Sequence, residues 1–81
     1  MEEVFIEPEE IPYDGLMIDN LLTMAMLADR KHEARQMIAR GFVKVDGVKI
    51  GADYRVFRDT ESVVLESKGK SPVKLIIMSR D

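Results

Sequence analysis

The chain has 81 residues, 46% of them hydrophobic and 33% charged, a formal charge of −3, and no cysteine. That is one small domain with a modest core, because a chain of this length hides only about two-thirds of the surface its unfolded form exposes. Disulfides and thiolate metal sites are excluded, no apolar run approaches a membrane span of roughly 18 residues, and the acidic start Met1-Glu2-Glu3 has the wrong charge for a signal peptide. A soluble, intracellular protein is expected.

The net charge hides a sorting of charges. Residues 1–29 carry eight acids and no Lys or Arg, residues 30–58 carry eight Lys or Arg against three acids, and residues 59–81 carry four of each. A polyanion site is therefore expected in the middle third.

In chain order, the leader at residues 1–13 holds Pro8, Pro12 and five glutamates and reads as an acidic linker or irregular lead-in, with Phe5, Ile6 and Ile11 available to dock. The domain proper is placed at residues 14–81. After Asp14-Gly15, the residues Ile18, Leu21, Leu22 and Ala25 recur at i, i+3, i+4 and i+7, which predicts a helix ending near Leu27. Met17 and Met24 flank its buried stripe, and Asp19, Asn20 and Thr23 point away. Asp29 is the expected cap of a second helix running to about Arg40, with Ala34, Met37 and Ile38 buried and Gly41 as its stop. Two or three residues are expected between these helices.

The period then becomes two. Val43, Val45, Val48 and Ile50 alternate with Lys44 and Lys49 around Asp46-Gly47, a strong hairpin signal because both turn positions need positive φ. A two-residue loop pairs Val45 with Val48, Lys44 with Lys49 and Val43 with Ile50. Strands follow at Ser62–Glu66 and Val73–Met78, separated by the polar turn at residues 67–72. The predicted class is α+β, a two-helix hairpin packed on a small antiparallel sheet of about four strands.

Catalytic constellations are missing from the sequence. It has one histidine, no Gly-rich phosphate loop and no nucleophile beside a base, and Lys68-Gly69-Lys70-Ser71 lacks the glycines and helix of a phosphate-binding loop. No catalytic residue, metal or cofactor is expected, and the methionines at helical spacing (Met24, Met26, Met37) read as core filler. The cations are more informative. Lys31 and Arg35 repel at i, i+4 and share a helix flank with His32, Arg40 lies on the other flank, and Lys44 faces Lys49 across the hairpin. An anionic partner would relieve both repulsions, unless Glu33 or the acidic leader does so. Arg35 is the strongest single candidate, since a guanidinium grips phosphate bidentately. Because it lies off the buried stripe, Arg35→Glu should weaken binding and spare the fold.

The run Leu27-Ala28-Asp29-Arg30-Lys31-His32-Glu33-Ala34-Arg35-Gln36-Met37-Ile38, then Gly41, Val43, Val45, Asp46-Gly47 and Val48-Lys49-Ile50, resembles the ribosomal-protein S-four-type RNA-binding domain. The likeness covers about residues 14–78. Within the family it looks most like the C-terminal domain of bacterial and mitochondrial tyrosyl-tRNA synthetases, with the segment from Gly69 to Ile77 also suiting that branch. The resemblance implies RNA lying across the second helix and the hairpin, with contacts at Arg30, Lys31, Arg35, Arg40, Lys44 and Lys49. His32, on the same helix flank, joins them in the candidate RNA-binding set. It further implies tRNA(Tyr) as partner, a separate tyrosine-activating domain, the leader as interdomain linker, and a cytoplasmic or mitochondrial-matrix location. Two departures stand out: Arg30 replaces a capping serine, and Met26 and Phe42 replace glycines. The same face would also serve a free-standing ribosome- or rRNA-associated member of the family, or a domain docking an acidic protein.

Overall fold

The computed structural model describes residues 1–78 and is α+β. Its strands are β1 (Glu2–Ile6), β2 (Leu16–Met17), β3 (Val43–Val45), β4 (Val48–Lys49), β5 (Arg55–Val56), β6 (Ser62–Ser67) and β7 (Val73–Ile77), and its helices are α1 (Ile18–Met24) and α2 (Lys31–Ala39). Five strands form the main sheet in the order β1-β7-β6-β3-β4, and β2 pairs with β5 in a separate short ribbon.

Side-chain alternation gives the sheet one buried face. Val43 and Val45, Val63 and Leu65, Val73, Leu75 and Ile77 point inward, with Ile6 from β1, against Ile18, Leu21, Leu22, Ala25, Leu27, Ala28, Ala34 and Ile38. The intervening residues Lys44, Glu66, Lys74 and Phe5 lie on the outer face. The two-layer arrangement thus places both helices on one side and leaves the other side open.

The leader is not an irregular lead-in. Glu2–Ile6 pairs in parallel with β7, and Ile6 and Ile11 are fully buried, while Phe5 stays 60% exposed. Its alternation of Val4 and Ile6 with Glu3 and Phe5 is short, glutamate-rich and followed by proline, and its partner strand is nearly seventy residues away. The sheet therefore has one strand beyond the expected four, at a parallel edge. Arg58 Nε donates to the Ile11 carbonyl at 2.8 Å and Arg55 Nη1 to the Asp14 carbonyl at 3.1 Å, so two cations of the basic middle third tie down the leader and the residue that follows it.

Both helices end in the same reversal. At α2, the N–H of Gly41 donates to Ile38 O at 2.9 Å and that of Phe42 to Met37 O at 3.0 Å, with Gly41 at φ +73°. At α1, Met26 donates to Thr23 O at 3.1 Å and Leu27 to Leu22 O at 3.0 Å, with Met26 at φ +60°. This reversal ends α1 at Met24 and turns Leu27 and Ala28 into the core, so six residues separate the helices instead of two or three. Met26 is 83% exposed and fills no core, whereas Met24 and Met37 pack half-buried against it. Asp29 caps nothing: Arg30 is the N-cap residue of α2, with extended backbone and no side-chain cap bond.

The hairpin follows its expected register for Lys44 with Lys49 and Val45 with Val48, and Asp46 and Gly47 both take positive φ. The ladder stops at Lys49, so Val43 does not pair with Ile50 within it. Asp46 also fixes the neighbouring strand: its N–H donates to Val64 O and its Oδ1 accepts from Val64 N, both at 2.9 Å.

Candidate nucleic-acid interface

The seven candidate side chains, Arg30, Lys31, His32, Arg35, Arg40, Lys44 and Lys49, are all exposed. They line α2 from end to end, a length of about 14 Å for nine residues at 1.5 Å each. Arg30, Lys31 and His32 stand at its start and Arg35 at its middle. Arg40 closes its far end, where the hairpin lysines join it: Lys49 Nζ would stand 3.2 Å from a Cβ placed on Gly41. The position suits an ammonium, because the last carbonyls of a helix carry partial negative charge. Lys44 lies beside it, opposite Lys49 on the outer face of the sheet.

Arg35 is held in place from an unexpected side. Its Nε donates to Asp19 Oδ2 at 3.1 Å, and Asp19 is buried on α1, its side chain only 7% exposed. The same carboxylate accepts the Asn20 N–H at 2.8 Å through Oδ1. Asp19 therefore does not point away from the domain. Arg35 remains 67% exposed, so the guanidinium is anchored at Nε and presents its Nη groups to solvent. His32 is exposed and lies 3.4 Å from Gln36 Nε2, a link along the helix surface.

Among the described residues, Arg30, Lys31, Arg40, Lys44 and Lys49 form no ion pair within 4.0 Å, and Glu33 neutralises none of them. Nor do the first glutamates of the leader cover them. Glu2 and Glu3 lie on β1, one edge of the sheet, and Lys49 on β4, the other, with three strands between. At about 4.8 Å per strand, that keeps them well beyond a Debye length at physiological salt.

Two further lysines flank α2 that sequence reasoning set aside as a plain turn. Lys68 N donates to Phe42 O at 3.0 Å, and its Nζ sits 5.0 Å from the centroid of the Phe42 ring. Lys70 Nζ donates to the Leu27 carbonyl before α2 begins. The turn between β6 and β7 thus runs beside the helix and adds one cation near each end. Sequence distance hides this, although the clustering of Lys68 and Lys70 about Gly69 was a visible signal. Among the described residues, no group of three or more His, Asp or Glu is placed to hold a metal ion.

Comparison with known proteins gives this arrangement a setting. A family model described as S4 domain matches residues 18–60, from α1 through the hairpin to the loop after β5. The small ribosomal subunit protein uS4 of Finegoldia magna is 39% identical over 54 residues, 67% of this chain and 26% of that protein. The uS4 protein of Anaeromyxobacter sp. (strain K) is 32% identical over 60 residues, 74% of this chain and 29% of that protein. The chain thus spans between a quarter and a third of the length of these relatives. They are ribosomal proteins, and the narrower likeness to a tyrosyl-tRNA synthetase gains no support from them.

Proposed function

Because the chain belongs to the S4 domain family, we propose that it is a non-catalytic module that grips structured RNA, in the first place ribosomal RNA. Contact is made chiefly through phosphates. The observation that carries this reading is the set of exposed cations left unpaired at both ends of α2, with Arg35 oriented between them by Asp19. Exposed cations that form no ion pair, two of them directly opposite on the hairpin, suit a phosphate backbone better than they serve stability. Shape and backbone contacts, instead of base-edge readout, would select structured RNA over a free single strand.

Ribosomal RNA is preferred over tRNA(Tyr) because the relatives are named as small ribosomal subunit proteins. In this reading Arg30, Lys31, Arg35, Arg40, Lys44 and Lys49 meet phosphates, with Lys68 and Lys70 extending the track and His32 hydrogen-bonding at its side. The test is a titration of the chain with a small-subunit rRNA junction, tRNA(Tyr) and an unrelated tRNA at equal salt. Preference for the rRNA junction supports the proposal. Preference for tRNA(Tyr) moves the module to the synthetase, and indifference to all three at moderate salt points to an acidic protein partner.

A further inference from the structure

A cavity of about 300 Å³ opens where α2 hands over to β3, lined by Gly41, Phe42, Lys44, Glu66, Ser67 and Lys68. Its geometry follows from sheet register. Lys44 lies opposite Glu66, and two residues further along, just past the end of the ladder, Phe42 meets Lys68. Residues two apart on a strand share a face, so these four side chains form a block on the outer face of the sheet. Lys49, opposite Lys44 on its other side, joins the block to the cations at the end of α2.

We propose that this cavity takes a single unpaired guanosine of the bound RNA. The inference rests on the RNA-binding reading above and names what one part of that surface recognises. Phe42 is half-buried and is already approached by the Lys68 ammonium, a flexible group that a base can displace from the ring. Unstacked bases commonly stack on aromatic side chains and hydrogen-bond through their Watson–Crick edge. Glu66, half-buried, makes no ion pair within 4.0 Å among the described residues despite its two lysine neighbours. Its carboxylate offers two acceptors side by side, which the adjacent N1–H and N2–H donors of guanine match. Adenine turns a ring-nitrogen lone pair toward the same position. Lys44 and Lys68 flank the opening, where the phosphates on either side of the base would lie.

The experiment uses the intact chain and three RNA stems measured by fluorescence anisotropy: one uninterrupted, one with a bulged guanosine, one with a bulged adenosine. The guanosine stem should bind about tenfold tighter than the uninterrupted one, as expected for one stacked base. Glu66→Gln should erase the preference for guanosine over adenosine, and Phe42→Leu should erase the advantage of either bulge. Phe42→Leu should keep wild-type affinity for the uninterrupted stem, and Glu66→Gln, which removes an acid beside Lys44 and Lys68, should bind that stem no more weakly than the wild type. If the wild type binds all three stems equally well, the guanosine pocket is overturned while the RNA reading stands. If it binds none of them, both fall. Should Phe42→Leu fail to fold, Glu66→Gln on the outer face decides the question.

Discussion

Arg35 on α2 and Asp19 on α1 meet at 3.1 Å, and the two ends of that contact differ sharply in solvent exposure, 67% for the arginine and 7% for the aspartate side chain. The asymmetry gives each partner a separate job. Asp19 is a buried anion that needs its donors, and Arg35 is a surface cation whose direction is set by the anion beneath it. Arg35→Gln should destabilise the fold by about 1–3 kcal/mol, since it leaves a buried carboxylate short of a charged donor. Asp19→Asn should cost less, yet weaken RNA binding although Asp19 touches no solvent-facing phosphate. Paired denaturation and binding curves check this. The same geometry revises the expectation that Arg35→Glu spares the fold: the new carboxylate would face Asp19, so this variant should lose stability as well as RNA affinity.

The lysine pair of the hairpin sets stability against function. Lys44 and Lys49 are direct cross-strand neighbours. Lys49→Glu gains about 0.2–1 kcal/mol by turning a repulsive pair into an attractive one and loses about 0.3–1 kcal/mol at the carbonyl end of α2, so stability should stay within about 0.5 kcal/mol of the wild type. The same substitution should weaken RNA binding, and chemical denaturation beside anisotropy measures both. A larger loss of stability would show that Lys49 matters more for its contact with the end of α2.

Met26 holds a left-handed backbone conformation at φ +60° with its side chain in solvent. That conformation costs a non-glycine residue roughly 1–2 kcal/mol, part of which glycine returns as entropy of the unfolded chain. Met26→Gly should therefore raise stability by about 0.5–1 kcal/mol, read as a shift in the denaturation midpoint without a change in slope.

Tyr54 gives stability a component that depends on alkaline pH. Burial first, and then the nearby Asp46 carboxylate, push its phenol above the ordinary value of 10.0. A group whose pKa is raised on folding contributes stability that is complete below the unfolded value and is lost as pH climbs toward the folded one. Stability should accordingly fall as pH rises past about 10, and Tyr54→Phe should remove that part of the fall. An identical alkaline decline in both proteins would place its origin elsewhere.

Much of the fold was legible in the sequence because its signals are local. Ile18, Leu21, Leu22 and Ala25 announce α1 through spacing alone, and Asp46-Gly47 fixes the hairpin register that sets Lys44 against Lys49. What the sequence hid depends on contacts between distant segments. Glu2–Ile6 becomes a strand only because β7 lies beside it, and Leu16–Met17 only because Arg55–Val56 does. Asp19 looked solvent-facing because a charged residue beside a buried stripe normally is, and nothing local reveals that Arg35 reaches across to cover it. Arg55 and Arg58 counted toward the basic middle third, but their hydrogen bonds to the backbone of the leader and of Asp14 make them fasteners. Lys68 and Lys70 read as a turn, since their nearness to α2 exists only in three dimensions.

On the RNA-binding proposal, clustered, unpaired cations around α2 bind a polyanion by displacing its counterions. The most direct measurement is the dissociation constant for a small-subunit rRNA junction across a salt series, for the wild type and for Lys44→Gln/Lys49→Gln. With about six phosphates engaged, the logarithm of the association constant should fall against the logarithm of salt with a slope near −4 to −5. The double variant should lose about one unit of slope per charge removed. A salt-independent affinity, or an unchanged slope in the variant, would contradict the account.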